Sequence, residues 1–254
     1  MNTKIFALDL KRILRSPEVP MFVIGLPVVI YLIFGVAATY AKEMVADTTV
    51  NWAWVIMVNI AAYGAIISTA SFAAGTSVEK IQGWGRQIAL TPLSNGRYLG
   101  TKIALGALLA ALPVAVIFLL GGLTQAKAEP SAWIISVLVI LGGSLTFTLY
   151  GLAFGLLLHS DTAVSIASGL TTLFAFIANF FMPLGGWLLD FAKFMPGYGY
   201  GILARYAGTN GNQITMDGKP YTENLGIGIV NFVVWILIFA LLALWGYQRS
   251  RRHA

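Results

Sequence analysis

Residues 52–76 read WAWVIMVNIAAYGAIISTASFAAGT, and no Asp, Glu, Lys, Arg or His interrupts them. At about 1.5 Å of helix rise per residue, this stretch can cross the ~30 Å hydrocarbon core of a bilayer. No water reaches the backbone there, so its N–H and C=O groups must pair within the segment, which makes it a helix. That reading decides the fold class, and the rest of the chain repeats it. Five further runs are comparably long and free of charge inside: Val19–Tyr40, Ile103–Leu123, Ala132–Leu158, Ala163–Met182 and Leu225–Tyr247. Pro27 and Pro113 fall within runs, where kinks are expected and neighbouring helices can satisfy the freed carbonyls.

Composition agrees. Of 254 residues 58% are hydrophobic and only 10% charged, with a mean hydropathy of +0.80, whereas soluble domains carry about 25% charged residues. There is no cysteine, so disulfides and thiolate metal sites are excluded. His159 and His253 are too far apart in sequence to suggest a metal site. The first apolar run exceeds the ~7–15-residue core of a signal peptide, so it is read as a retained span.

Six spans put both termini on one side of the membrane. With the termini inside, that side holds Lys4, Lys11, Arg12, Arg15, Lys80, Arg86, Arg97, Lys102, Arg249, Arg251 and Arg252, and the other holds only Lys42, Lys127, Lys193, Arg205 and Lys219. The positive-inside rule makes the richer side cytoplasmic. The net charge of +6 is therefore a topology signal, and no nucleic-acid partner is expected.

Residues 1–18 contain TKIFALDLKRILR (3–15), an amphipathic helix at 100° per residue: Phe6, Ala7, Leu10, Ile13 and Leu14 share one face, and Lys4, Lys11, Arg12 and Arg15 the other. Such a helix lies in the headgroup plane with its bases on membrane lipid. The second charged interruption is SVEKIQGWGRQIALTPLSNGRYLGTK, residues 77–102. Val78, Ile81, Trp84 and Ile88 form one apolar stripe, while Glu79, Gln82 and Arg86 lie elsewhere on the helix. Leu90 precedes Thr91-Pro92, and a residue before proline leaves the α region, so the helix ends there and the next begins near Tyr98. A short helix with a stripe and a charged face is built to dock; an interfacial loop is the alternative.

Two further segments carry polar or broken patterns. Residues 181–207, FMPLGGWLLDFAKFMPGYGYGILARYA, set two Met-Pro steps at Pro183 and Pro196 around a short apolar piece, with Arg205 following. In the fifth run Ser165, Ser168, Thr172 and Asn179 fall on one helical face, within about 60°. They either line a passage or hold helices together, since small polar residues also favour close helix contacts. Gly151 and Gly155 form a Gly-x-x-x-Gly best read as packing.

Taken in order, Glu79-Lys80, Gly83, Leu90-Thr91-Pro92-Leu93-Ser94 and Lys102 resemble the segment between spans two and three of ABC-2-type exporter permeases. The sequence departs in reading QGWGRQ where members often have Gly-Thr after the acid. The resemblance extends over nearly the whole chain, through the N-terminal helix, six spans and the proline-broken region ahead of the last. It implies one all-α integral membrane permease domain, residues 1–254, with an interfacial helix at 1–18. Residues 77–97 would be the cytoplasmic coupling helix, set in a cleft of a separate ABC ATPase subunit, with Glu79, Lys80, Gly83, Trp84, Arg86, Ile88, Thr91 and Pro92 in contact. Residues 183–207 would be short re-entrant helices on the outer side, an outer gate with Pro183, Pro196 and Arg205. Spans two and five would border a path between two permease copies, adding Asn59 and Tyr63 to Ser165, Ser168, Thr172 and Asn179. Two ATPase copies would hold ATP and Mg; this chain itself would bind no cofactor.

Absences sharpen this. No Gly-x-x-x-x-Gly-Lys-Ser/Thr phosphate loop occurs; GRYLGTKI, residues 96–103, puts Thr101 between glycine and lysine and has no preceding strand. The chain is thus expected not to hydrolyse ATP itself. No span carries the mid-membrane acid or base that ion-coupled transporters use as a relay. His159, Ser160 and Asp161 sit on one tight turn, which suits helix capping and not a preorganised triad. The expected activity is ATP-driven export of an amphipathic or hydrophobic cargo such as a drug, peptide antibiotic or lipid-like compound, from a multi-pass protein of the cell membrane, as a homodimer or with a paralogous permease. An ion-coupled secondary transporter, a membrane sensor without an ATPase and a structural assembly partner are the rivals.

Overall fold

A computed structural model describes residues 23–75, 95–158 and 162–251. The N-terminal helix of 1–18, most of the docking segment, including Glu79, Lys80, Gly83, Trp84, Arg86, Ile88, Thr91 and Pro92, and the turn at 159–161 lie outside the described residues.

Each long apolar run forms a helix over most of its described length. The described helices are α1 (Val23–Ala37), α2 (Trp52–Ala74), α3 (Asn95–Leu123), α4 (Pro130–Leu158), α5 (Ala163–Ile177), α6 (Gly186–Ala192), α7 (Tyr198–Thr209) and α8 (Leu225–Arg251). Four of them, α2, α3, α4 and α8, are long and apolar enough to cross a membrane, while α1 and α5 are shorter apolar helices. This is a mostly helical membrane protein. Between α7 and α8 stands an antiparallel hairpin, β1 (Asn212–Ile214) with β2 (Pro220–Thr222), in the register Asn212↔Thr222, an element with no counterpart in the hydropathy pattern.

The bundle is organised around α2 and α4. Helix α2 packs against α1, α3, α4, α5 and α7, and α4 against α2, α3, α5, α7 and α8. Accordingly 78% of the most apolar window of α2 is buried, against 22% for α8, which faces outward with Val230, Leu237, Leu241 and Leu244 exposed. Lipid tails are as apolar as leucine, so burial alone does not pull membrane helices together; close packing and hydrogen bonds between helices must. Both are present. A Cβ on Gly151 of α4 would strike the Ala70 carbonyl of α2, so the two backbones touch there. Thr69 Oγ1 donates to the Ser144 carbonyl at 3.1 Å, Ser136 Oγ to that of Ala204 at 2.6 Å and Tyr200 OH to that of Ile140 at 2.9 Å. The two prolines inside spans meet one glycine: a Cβ on Gly64 would lie 2.8 Å from Pro113 and 3.6 Å from Pro27.

Helix ends are satisfied by side chains from other elements. Asn51 caps α2, accepting from Trp54 N at 3.1 Å and Lys127 N at 2.9 Å while donating to the Gln125 carbonyl at 2.6 Å. The last turns of α1, Leu32–Ala37, widen into a π-helix, and Gln125 Nε2 donates at 2.8 Å to both the Gly35 and Val36 carbonyls.

The fifth run ends sooner than its hydropathy suggests. Helix α5 stops at Ile177, not Met182. Phe180 N reaches back to the Ala175 carbonyl at 3.1 Å, Asn179 turns to φ 68°, and Pro183 follows without an N–H to extend any helix.

Candidate functional site

At the hairpin end of the bundle a charged pair is fully enclosed. Helix α7 starts from Gly197 at φ 96° and ends on Asn210 at φ 50°, which sets Arg205 inward against α2 and the hairpin. The Arg205 Nε donates to Glu223 Oε2 at 2.9 Å, and a second guanidinium nitrogen pairs with Oε1. Both side chains have 0% exposure. Glu223 is aimed by the hairpin, whose ladder continues as its N–H donates to the Gly211 carbonyl at 2.7 Å.

The pair is the centre of a network. The third Arg205 donor reaches Asn59 Oδ1 on α2 at 3.1 Å. Tyr221 OH donates to Glu223 Oε1 at 3.4 Å and accepts from Asn179 Nδ2 at 3.0 Å. Asn179 Oδ1 then accepts Leu184 N at 3.0 Å. Burial first, and the Glu223 charge next, raise the Tyr221 phenol above its ordinary pKa, so it remains a donor. Burying two ions costs several kcal/mol each, at order-of-magnitude level, recovered only with good geometry and further hydrogen bonds. Here the fork-to-fork pair and its Asn59 and Tyr221 contacts meet that condition.

The turn between α6 and α7 is held from α8. Asn231 Nδ2 donates to the Lys193 carbonyl at 2.8 Å and that of Met195 at 3.2 Å, and its Oδ1 accepts Gly199 N at 3.0 Å. Trp235 Nε1 donates to the Phe194 carbonyl at 3.1 Å. Backbone outside regular helix needs such partners wherever it is buried. Gly199 lies so close to α8 that a Cβ would strike the Gly228 carbonyl.

The residues singled out in the sequence fall into three groups. Arg205, Asn59 and Asn179 join the buried network, although Asn179 lies beyond the end of α5 and not on its face. Tyr63 OH meets Thr172 Oγ1 at 3.1 Å and Ser168 Oγ meets Ser71 Oγ at 2.8 Å, so these hydroxyls bond α2 to α5 within the chain. Ser165 is exposed beside Ile166, Gly169, Leu173 and Phe176. Pro183 is exposed and Pro196 buried in the supported turn. The sequence pattern does not single out Glu223, Tyr221, Asn231 or Trp235. The signal for Glu223 was an acid directly before the last span, on the same side as the otherwise unpaired Arg205. Among the described residues no group of three or more His, Asp or Glu could hold a metal. The arrangement offers no nucleophile with a base; it is a joint between helices.

Comparison with known proteins places this architecture. The sequence is similar, at 25% identity over 253 residues and covering 97% of this chain and 96% of the other, to a Bacillus subtilis (strain 168) protein named "Putative transport permease YvfS". The sequence model of the family described as "ABC-2 family transporter protein" matches residues 38–245. That match runs from just after α1 into α8, and the chain belongs to the ABC-2 family of transporter proteins.

Proposed function

We propose that the chain is the membrane subunit of an ATP-driven exporter, carrying an amphipathic or hydrophobic cargo such as a drug, peptide antibiotic or lipid-like compound out of the cell. The observation that carries this is the family match over residues 38–245, which contains the docking segment 77–97 and the broken region 183–207 together. The chain has no phosphate loop, so two separate ABC ATPase subunits would hold ATP and Mg. Their closure would push on the segment around Glu79 and Trp84 and move α2 and α3, which flank it.

In this reading six spans leave both termini in the cytoplasm of the cell membrane, and the hairpin end is the outer end. Helices α6 and α7 then dip in from outside, with Pro183, Pro196 and Arg205 in the gate. The exposed face of α5, from Ser165 and Ile166 to Phe176, is where a second permease copy, identical or paralogous, would meet this one. The hydroxyls of Tyr63, Ser168 and Thr172 are paired between α2 and α5 inside the chain, which suits two helices held together on the border of a path between copies. Glu223 precedes α8 and is bonded twice to Arg205, so it is not a free mid-membrane relay of the kind an ion-coupled carrier needs.

The test is capture of the tagged protein from its native membrane in mild detergent, with mass spectrometry of what remains bound. A P-loop ATPase should be recovered, and lost when Glu79 and Trp84 are replaced together. A preparation free of any ATPase, from cells expressing candidates, would overturn the exporter reading.

A further inference from the structure

Two ions with 0% exposure are an odd choice for mere rigidity. Apolar residues of similar volume usually serve as well or better, because the pair must first be stripped of water. Ions have one property that an apolar plug lacks. When the contact opens and water enters, each ion regains its hydration, whereas wetting apolar surface costs free energy in proportion to the area exposed. A charged contact can therefore be nearly balanced between a dry closed state and a wet open one.

Its position matters as much as its chemistry. Arg205 contacts Glu223 beside the hairpin and Asn59 on α2, one helical turn before Tyr63. Through Tyr221 the same network reaches Asn179 at the end of α5. Both helices that would border the candidate path, joined to each other by their hydroxyls, are thus tied to α7 through one ion pair.

We propose that Arg205 and Glu223 are the positioning residues that hold the path closed at the hairpin end: paired, they clamp α2, the α5 terminus and α7 together, and parted they let the α2–α5 seam that borders the path loosen and take in water. The proposal rests on the transport reading for what passes, but not for the opening itself.

The chain has no cysteine, so Thr172→Cys supplies a lone probe, half-buried against Tyr63. Its labelling by a soluble maleimide is measured on the purified full chain in lipid nanodiscs, without ATPase or cargo. Added to this parent, Glu223→Gln and Arg205→Met should each raise the labelling rate about tenfold or more, within the range typical of coupling between sites. The paired replacement Arg205→Met with Glu223→Leu should label no faster than the parent, because it reseals the contact dry. Single variants that fold and label at the parent's rate would overturn the proposal. Should they not fold, Asn59→Ala, which removes only the third contact, takes their place: faster labelling supports the clamp and an unchanged rate overturns it. ATPase capture can fail while labelling rises, and labelling can stay flat while an ATPase is captured, so the two readings fall separately.

Discussion

Tyr63 of α2 and Thr172 of α5 meet hydroxyl to hydroxyl at 3.1 Å, and two turns further along α2 Ser71 meets Ser168 at 2.8 Å. The seam between these helices is a polar zipper in an apolar bundle, closed by Phe181 packed edge-on to Tyr63 at 4.8 Å. Hydrogen bonds between membrane helices contribute about 0.6 kcal/mol on average. Tyr63→Phe and Thr172→Val should each destabilise the protein by about that much, and a double-mutant cycle of unfolding in detergent should return a coupling of about 0.6 kcal/mol. Additive losses would mean that the hydroxyls do not bond to each other.

Glycine contacts predict a steeper effect. An added methyl at Gly151 meets the Ala70 carbonyl, and one at Gly199 the Gly228 carbonyl, both rigid helix backbone. Overpacking of this kind costs about 1–3 kcal/mol, so Gly151→Ala and Gly199→Ala should lower the melting temperature clearly. Gly142→Ala, where nothing lies within 4 Å of the new methyl, should leave it unchanged or slightly higher.

Asn51 closes three contacts at the start of α2, with Trp54, Gln125 and Lys127. Replacing an N-cap by alanine costs about 0.5–2 kcal/mol. Asn51→Ala should fall at the upper end, since it also releases the loop after α3, and hydrogen exchange should speed up at Trp54 and Lys127 together. Faster exchange at Trp54 alone would mean the loop is held by something else.

Asp217, in the exposed hairpin turn, has its pKa lowered to about 2, first by the Thr215 hydroxyl at 2.6 Å and then by Lys219 at 3.0 Å. A carboxyl depressed in the folded state stabilises above its unfolded pKa and loses that contribution as pH falls through the folded value. The hairpin should therefore hold from neutral pH down to about 4 and loosen between there and about 2. Thr215→Val should move the Asp217 titration upward, as followed by carboxyl chemical shift. An unchanged titration would show that the hydroxyl is not what holds the proton off.

Much of the helical pattern was legible because lipid leaves the backbone few options. A long uncharged run must be helix, and α2, α4 and α8 follow their runs to within a few residues, while α3 is already helical at Asn95, ahead of its run from Ile103. The boundary of α5 was not legible, because residues 178–182 are as apolar as those before them. What stops the helix is the left-handed Asn179, whose side chain is bonded to Tyr221 and Leu184. The hairpin escaped notice because its strands, Asn212–Ile214 and Pro220–Thr222, are too short for a period of two to register.

The candidate site divides in the same way. Arg205, Asn59 and Asn179 stand out as polar residues in apolar surroundings, but nothing in their spacing says that they share one network.

Hydropathy along the chain marks the long apolar helices of a membrane protein, because it is a local property and each backbone group in a bilayer must find its partner nearby. Packing in three dimensions sets the rest: Arg205 meets Glu223 and Asn59, α2 is the buried axis and α8 the exposed flank, and Ser168 and Thr172 of α5 turn toward α2. Those outcomes depend on which helix faces touch, and among apolar surfaces that lipid solvates equally well, the choice falls to glycine-sized gaps and a few polar contacts between residues far apart in the chain.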